Sequence, residues 1–397
     1  MKTREALGQN TRIVVIGGGY AGTMAANRLS GTGSQVTVVN ARPQFVDRIR
    51  LHQWAAGTGE AAHDLGTLLA DGVRLVIDNA VRIDADRRLV VLRSGNELPY
   101  DYLVYAAGST GTPHHLIPGL AEHGFGVGDW ESAQRLREHL TIEKGPVTVV
   151  GGGLTGVETA AELAELGHPV RLVCDGPLVP SFGDRGRRAT ARTLDRLGVR
   201  VFDDRRVTAI GARSITVTAT DTTEEWPSAT TIVAVGFGIP RLAADSGLTT
   251  DPDGRLVTDE TLTSVDDPRI VAAGDAASPS GIPLRMSCQA AGPLGIQAAD
   301  TVLARIAGDE PKNINQAFAG QCISIGRNAG TVQLCHSDDS PRRVFIGGRT
   351  GALLKEQVCR ATLTFMRKEG RKPGSYFWFK GDNRARQLEA ARQETLV

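Results

Sequence analysis

Two groups of glycines have the spacing that holds the phosphates of a dinucleotide. Each group forms the pattern G-x-G-x-x-G, with Gly17, Gly19 and Gly22 in the first copy and Gly151, Gly153 and Gly156 in the second. In this pattern the first glycine allows a tight turn, the second lets a pyrophosphate approach the backbone, and the third lets a helix pack closely on a strand. Two copies in one chain favour two bound dinucleotides over one.

A strand and a helix must flank each glycine group if the group is to bind phosphate. "RIVVI" (Arg12–Ile16) precedes the first group and "PVTVV" precedes the second, and a helical stretch follows each. The N–H groups at the start of such a helix, together with the positive end of its dipole, face the phosphates. The next strands, "QVTVVN" and "PVRLV", complete two Rossmann-like units. The sequence therefore predicts an α/β fold.

The chain departs from the usual pattern where each of these next strands ends. An acidic residue is expected there, but Asn40 stands at the first site and Cys174 at the second. Asn40 offers a ribose hydroxyl a neutral amide. Asp175 follows Cys174, and a carboxylate at this position favours the 2′-hydroxyl of NADH over the 2′-phosphate of NADPH.

Arginines near both sites leave alternatives open. After Ala41, Arg42 could stack on adenine, contact a phosphate or lie in a solvated turn. Arg185, Arg187 and Arg188 could bind the 2′-phosphate of NADPH or belong to a solvated loop. Of the two coenzymes, we favour NADH.

The composition is that of a soluble protein with more than one domain. The chain has 397 residues, 41% of them hydrophobic and 22% charged, and its net charge of +1 argues against a nucleic-acid partner. Its five cysteines form no C-x-x-C pair, so we expect no metal site and a reducing, cytoplasmic location. The start, "MKTREALGQN", lacks a signal-peptide pattern, and no apolar run is long enough to span a membrane.

Four further stretches carry a family resemblance: "YDYLVYAAGS", "TIVAVGFGIP", "IVAAGDAAS" and "GVE". With the two glycine groups, they resemble the FAD-dependent pyridine-nucleotide oxidoreductases, which are two-dinucleotide-binding flavoproteins. The resemblance implies FAD and either NADH or NADPH as cofactors. It also implies that Asp275 holds a ribityl hydroxyl of FAD and that Glu158 lies near the nicotinamide and the flavin.

The resemblance implies three domains. An FAD-binding domain would comprise residues 1–115 and 241–317, interrupted by an NAD(P)-binding domain at 116–240, and a smaller C-terminal α+β domain would follow at 318–397. The residues expected to bind cofactors are Gly17, Gly19, Tyr20, Ala21, Gly22, Asn40, Ala41, Arg42, Arg50, Val81, Ala107, Gly108, Gly151, Gly153, Thr155, Gly156, Asp175, Gly236, Gly274, Asp275, Ser287 and Cys288.

Within the superfamily, the chain is most similar to the type II NADH dehydrogenases and the apoptosis-inducing-factor-like oxidoreductases. It lacks the paired cysteines of disulfide reductases, whereas Phe45 and "LHQWAAG" resemble the corresponding stretch of these two groups. His52 stands where an aromatic residue is usual. This resemblance implies hydride transfer from NAD(P)H to flavin and then electron transfer to a quinone or another small organic acceptor.

The stretch "CQAAGP" resembles the Ala-Gln-x-Ala-x-Gln run of type II NADH dehydrogenases, which begins a helix pointing at the flavin. Cys288 and Gln289 take the first two positions, but Pro293 replaces the glutamine that the family links to the quinone pocket. We expect Glu158, Gln289 and His52 to be the catalytic residues. Two alternatives stay open: a redox-sensing flavoprotein with slow turnover, and a biosynthetic flavoenzyme acting on a specialised metabolite.

The C-terminal region reads as short strands up to "GALL" and then one helix, "LLKEQVCRATLTFMRKEG". Lys355 and Glu356 in that helix could face the flavin, but we favour a surface pair. The basic and aromatic tail around "GSYFWFKGD" could rest on a membrane surface. We favour its packing on its own domain or on a partner subunit, which leaves a homodimer open.

Overall fold

The computed structural model describes residues 10–220 and 222–395. Its strands are β1 (Arg12–Ile16), β2 (Gln35–Asn40), β3 (Gln44–Val46), β4 (Ala62–Asp64), β5 (Arg74–Ile77), β6 (Ala80–Asp84), β7 (Leu89–Leu92), β8 (Glu97–Pro99), β9 (Tyr102–Tyr105), β10 (Gly124–Gly126), β11 (Val147–Val150), β12 (Val170–Val173), β13 (Arg200–Phe202), β14 (Arg206–Ile210), β15 (Ser214–Ala219), β16 (Thr222–Pro227), β17 (Thr230–Val233), β18 (Leu256–Thr258), β19 (Ile270–Ala272), β20 (Ala277–Pro279), β21 (Gly320–Ser324), β22 (Gly330–Cys335) and β23 (Pro341–Gly347). Its α-helices are α1 (Tyr20–Ser30), α2 (Leu51–Ala56), α3 (Leu120–His123), α4 (Trp130–Ile142), α5 (Leu154–Glu165), α6 (Asp184–Arg196), α7 (Leu242–Asp245), α8 (Cys288–Ala307), α9 (Gly348–Arg371) and α10 (Asn383–Thr395).

The first large sheet is parallel and has the strand order β19-β9-β1-β2-β5. Its central strand, β1, is a continuous run of buried Ile and Val from Ile13 to Ile16, because both faces of the sheet are covered. Helices α1 and α8 pack on one face, and the other face carries a core that includes Tyr100 and Tyr105. The chain leaves this sheet after β9 and returns to it only at β19.

The segment between β9 and β19 forms the second large sheet, which is also parallel, with the order β10-β17-β11-β12-β13. Helices α4 and α5 contribute to its core on one face. The antiparallel sheet β14-β15-β16 packs on the other. In both large sheets a glycine turn follows a central strand, β1 or β11, at the point where the strand order reverses. Crevices at such points are where parallel sheets bind dinucleotides.

The C-terminal part consists of the antiparallel sheet β21-β22-β23 and the long helix α9. The sheet packs between α9 and α6 of the second unit. The sequence-based prediction of strands followed by one helix is confirmed, although α9 begins earlier than expected, at Gly348. The first turn of α9 packs directly against β22, and only glycine fits at position 351. A Cβ there would lie 2.4 Å from the carbonyl oxygen of Gly330 on β22.

The predicted α/β fold, with two Rossmann-like sheets and a smaller α+β unit, is confirmed. The exact domain boundaries, 1–115 with 241–317, 116–240 and 318–397, stay a prediction. In the part of the chain that the structure describes, no helix combines the length and the apolar character needed to cross a membrane.

Candidate functional site

The first glycine turn connects β1 to α1 and leaves an open space in front of the helix. Gly17 has φ +101°, a conformation that other residues rarely adopt. A Cβ on Gly22 would lie 1.8 Å from the Gly17 carbonyl oxygen, so only glycine lets α1 come this close to the turn. By contrast, a Cβ on Gly19 would meet no protein atom within 4 Å.

The second glycine turn repeats this geometry between β11 and α5. Gly151 has φ +116°, a Cβ on Gly156 would lie 1.9 Å from the Gly151 carbonyl oxygen, and Gly153 faces open space. No side chain caps the start of α1 or α5. The first N–H groups of both helices are therefore free to bind anions, which fits one pyrophosphate at each turn. Thr155 lies in the first turn of α5.

Polar side chains at the end of β2 shape the first turn. The side-chain oxygen Oδ1 of Asn40 accepts a hydrogen bond from Gly18 N–H (2.9 Å), and the side-chain nitrogen Nδ2 donates to the backbone carbonyl of Arg42 (2.7 Å). Ala41 is exposed. The guanidinium of Arg42 pairs with Glu131 on α4, which is a contact between the first unit and the second.

Most of the other residues expected to bind a cofactor lie around the carboxyl edge of the first sheet. Ala107 and Gly108 follow β9, Gly274 and Asp275 follow β19, and Tyr20 and Ala21 begin α1. Asp275 accepts a hydrogen bond from Ser109 Oγ (2.6 Å). Tyr20 donates its hydroxyl proton to Asp47 (2.5 Å), and burial raises the pKa of Tyr20. Val81 is 44% exposed on β6, and Gly236 follows β17 of the second sheet.

Helix α8 starts beside the first glycine turn. Ser287 caps it, since Ser287 Oγ accepts a hydrogen bond from Ala290 N–H (3.2 Å). A Cβ on Gly295 would lie 2.1 Å from the Ala21 carbonyl oxygen, so α8 packs against α1 at van der Waals contact. Burial raises the pKa of the Cys288 thiol to about 11. Cys288 is therefore a neutral thiol at neutral pH, which supports its interpretation as a small residue rather than a reactive thiolate.

The side chain of Gln289 points towards the C-terminal part. In the amide orientation that satisfies both ends, its nitrogen donates to the Gly320 carbonyl (3.0 Å) and its oxygen accepts from Ala319 N–H (3.2 Å). Contact of Gln289 with flavin or acceptor stays a prediction. Pro293 lies inside α8 and not at its first position, so the Gln289 carbonyl lacks its usual helical N–H partner.

Four buried polar side chains from distant segments meet next to the start of α5. Lys355 Nζ on α9 lies 3.1 Å from Glu158 Oε1 on α5. Ser324 on β21 donates its backbone N–H (2.9 Å) and its hydroxyl (3.2 Å) to the same oxygen. His52 on α2 lies with Nδ1 3.9 Å from Glu158 Oε2 and with Nε2 3.4 Å from Ser324 Oγ. The structure thus brings together two predicted catalytic residues, Glu158 and His52.

The charges in this cluster follow from burial and pairing. Burial opposes ionisation of Glu158, but the Lys355 ammonium holds the pKa of Glu158 below its ordinary value. Burial likewise disfavours the ammonium, yet Glu158 keeps the pKa of Lys355 above its ordinary value. Burial lowers the pKa of His52 to about 4, even though Glu158 acts in the opposite direction. At neutral pH the cluster is a carboxylate, an ammonium and a neutral imidazole.

Comparison with known proteins gives a family match over most of the chain. The family model of the pyridine nucleotide-disulphide oxidoreductases matches residues 11–295. The chain belongs to this family. This membership confirms the resemblance seen in the sequence, the assignment as an NAD(P)H oxidoreductase, and FAD and a pyridine nucleotide as cofactors.

Relatives and solved structures agree with this pyridine nucleotide-disulphide oxidoreductase assignment. An NADH dehydrogenase-like protein of Mycobacterium tuberculosis is 34% identical over 327 residues, which are 74% of this chain and 80% of that protein. The type II NADH:quinone oxidoreductase Ndh of the same species is 29% identical over 76% of this chain and 74% of its own. The sulfide:quinone oxidoreductase of Aquifex aeolicus has a similar fold, with a TM-score of 0.80, 20% identity, and coverage of 92% of this chain and 93% of that one.

The interpretation of Lys355 and Glu356 as a surface pair is wrong for this family member. Lys355 is only 7% exposed, and Glu356 pairs with Arg50 (3.0 Å), which was expected to bind cofactor. A signal was present in the sequence, because Lys355 lies four residues from both Gly351 and Cys359, on the buried face of α9. Ser324 carried no signal, because a serine in a short strand is common.

Proposed function

We propose that this family member transfers hydride from NAD(P)H to FAD and passes the electrons to a quinone or another small organic acceptor. The buried Glu158–Lys355 pair is the observation that carries the proposal. Glu158 lies just past the second glycine turn, and the charge of Lys355 also acts on Cys288 at the start of α8. The pair therefore lies between the segments expected to bind the two dinucleotides.

In this reaction the protein binds the two dinucleotides, orients them relative to each other and stabilises the charge that develops on them. When bound, FAD accepts hydride from NAD(P)H and releases electrons to the acceptor. The N-termini of α1 and α5 would hold the pyrophosphates, and the N-terminus of α8 would supply positive potential. The Lys355 ammonium adds a buried positive charge, which Glu158 fixes in place and keeps protonated. Such preorganised charge stabilises negative charge that develops during reaction.

A quinone is the acceptor that we favour. Relatives of this chain include a type II NADH:quinone oxidoreductase of Mycobacterium tuberculosis and a demethylphylloquinone reductase of Synechocystis. The opposing observation is Pro293, which replaces a polar side chain on the same helix as Gln289. Either a quinone or another small organic acceptor is therefore compatible with the proposal.

Anaerobic stopped-flow spectroscopy tests this function. The purified, FAD-loaded protein is mixed first with NADH or NADPH and then with a panel of quinones. Fast bleaching of the flavin and fast reoxidation by a quinone would support the proposal. Bleaching by neither coenzyme would reject it, fast bleaching without reoxidation would favour a specialised metabolite, and slow bleaching with a stable charge-transfer band would favour a redox sensor.

We also propose that α9 touches a membrane surface, which would give the protein access to a lipid-borne quinone. Leu354, Val358 and Phe365 form a stripe along α9 and are 38%, 46% and 42% exposed. Basic residues end the same helix, which suits anionic lipid. The cytoplasm is the location we propose, supported by cysteines that remain free thiols.

The aromatic tail packs on its own chain and not only on the surface. Tyr376 and Trp378 pack on the protein's own core, beside Met366, whereas Phe377 and Phe379 are exposed. Trp378 also donates its indole N–H to Asn315 Oδ1 (3.0 Å). The tail therefore packs on its own chain through alternate residues, as favoured from the sequence.

A further inference from the structure

The position that usually carries the ribose-binding acid is neutral in the second nucleotide site. Cys174 follows β12, and a Cβ on Gly152 would lie 2.5 Å from Cys174 Sγ, so the thiol packs directly against the glycine turn. Burial raises the pKa of Cys174 to about 12. The side chain that borders this turn thus has neither charge nor a free hydrogen-bonding group for a ribose. Recognition of the ribose must come from the next residues.

The next residue is half of an exposed ion pair. Arg206 Nε lies 2.8 Å from Asp175 Oδ2, and the side chains are 69% and 60% exposed. The backbone places this pair at the same strand end, because Arg205 N–H donates to the Cys174 carbonyl (2.9 Å). Arg206 is thus held beside the site by β14, while Asp175 is held there by β12.

The carboxylate of Asp175 suits NADH, whereas the guanidinium of Arg206 suits NADPH. The ribose of NADH has a 2′-hydroxyl, which can donate a hydrogen bond to a carboxylate. NADPH has a 2′-phosphate, which a carboxylate repels and a guanidinium binds strongly. Asp203 and Asp204 add two more exposed carboxylates at the end of β13, and in this part of the chain no ion pair engages either of them. The local charge therefore favours NADH while Arg206 is occupied.

Asp175 is already expected from the sequence to accept the 2′-hydroxyl of NADH. We propose that it has a second role, which is to hold Arg206 away from the 2′-phosphate of NADPH. This inference rests on the proposed function only in that a pyridine nucleotide binds at the second glycine turn. Its specific consequence is that the protein already carries an NADPH-binding arginine, which one carboxylate keeps occupied.

Two substitutions separate the two roles. D175N removes the negative charge but keeps the shape, so it frees Arg206 and ends the repulsion of phosphate. In D175N/R206Q the repulsion is still absent, but the guanidinium is gone. If Arg206 is the hidden phosphate ligand, the double variant will lose most of the gain in NADPH binding that the single variant shows, and only the part due to the lost repulsion will remain.

Equilibrium titration of the FAD-loaded protein with NADH and with NADPH measures this without any need for turnover. We expect the wild type to bind NADH more tightly, and D175N to shift the ratio of the two Kd values towards NADPH by about tenfold or more. We expect D175N/R206Q to lose most of that shift. D245N is the matched control, because it removes the carboxylate of another exposed arginine pair, Arg241–Asp245, and should leave both Kd values unchanged.

Three results would overturn the inference: a wild type that prefers NADPH, a D175N variant with an unchanged Kd ratio, or a gain in NADPH binding that survives undiminished in D175N/R206Q. The proposed function fails in a different way, namely if NADH binds but does not reduce the flavin. Thermal melting of each variant checks folding, and the exposure of both side chains makes unfolding by these substitutions unexpected.

Discussion

The ammonium of Lys355 and the carboxylate of Glu158 form a buried ion pair, 3.1 Å apart, between a C-terminal helix and the helix of the second glycine turn. The pair keeps the Lys355 ammonium charged, beside its counter-charge on Glu158, in a region shielded from water. The backbone N–H and the hydroxyl of Ser324 each donate a hydrogen bond to the same carboxylate oxygen, Oε1 of Glu158. A charge so fixed acts on its surroundings more strongly than a mobile surface charge.

The first prediction concerns K355M. Removing one partner of a buried pair leaves the other charge unpaired, so we expect the free energy of unfolding to fall by about 3–5 kcal/mol. We also expect a slower reduction of the flavin by NADH. The double variant E158Q/K355M should recover much of the stability but not the rate. Urea unfolding and stopped-flow reduction measure the two effects, with K368M, an exposed lysine on the same helix, as control. Equal recovery of both properties would mean that the pair is only structural.

The second prediction concerns pH and His52. The pKa of His52 is about 4 in the folded protein, against an ordinary value of 6.5. Between these values the unfolded chain binds a proton and the folded protein does not, so stability falls as the pH drops below 6.5. Glu158, Lys355, Arg327 and Arg50 are the charged groups around the ring.

We expect the wild type to lose about 2 kcal/mol of stability between pH 6.5 and pH 5 through this group. H52F should lose less over the same interval, because phenylalanine does not titrate. Urea unfolding at several pH values gives the comparison. H123Q, which removes an exposed histidine, should keep the slope of the wild type. A wild-type slope in H52F would show that another group is responsible.

The glycine turns could be predicted from sequence because their geometry is local. The spacing of Gly17, Gly19 and Gly22 forces a turn, a helix start and a close approach of helix to strand, all within one short segment. The pattern of apolar residues gave the parallel strands for a similar reason. Each of these features needs only neighbouring residues to be recognised.

Contacts between distant segments could not be predicted in this way. The sequence identified Glu158 and His52 as candidates, but not Ser324, and it put Lys355 on the surface. Nothing local indicates that α9 and β21 meet α5, since this depends on how the C-terminal sheet packs between two other parts of the chain. The pairing of Arg42 with Glu131 was hidden for the same reason.

The third prediction uses the different surroundings of two glycines in one turn. A Cβ on Gly19 meets no protein atom, so G19A should leave the melting temperature of the FAD-free protein unchanged but reduce FAD affinity at least about tenfold. G22A should instead destabilise the fold by about 1–3 kcal/mol, because its Cβ would collide with the Gly17 carbonyl. Calorimetry and FAD titration measure the two effects. Normal FAD binding by G19A would contradict the placement of the pyrophosphate.

The fourth prediction applies the same reasoning to the second turn. Gly153 also faces open space, so G153A should fold normally, retain its yellow FAD and lose affinity for NADH. G19A is the matched control for G153A, because we expect G19A to lose affinity for FAD. Absorbance at the flavin band and titration with NADH distinguish the two variants. Loss of FAD in G153A would mean that the two sites are not separate.

The fifth prediction concerns the exposed stripe on α9. V358E and F365E place charges on the stripe, where both side chains are nearly half exposed. V358E is the cleaner variant, because the Phe365 ring also packs edge-on against Tyr376. If the stripe touches lipid, the wild type should sediment with vesicles that contain an anionic lipid, and either variant should bind at least about tenfold more weakly. Binding should also weaken in high salt, because Arg367, Lys368 and Arg371 end the same helix. V265E is the control, since Val265 is another exposed apolar residue, on a different part of the molecule. A wild type that ignores vesicles but elutes as a dimer, and becomes monomeric on V358E, would show instead that a second copy of the chain covers the stripe.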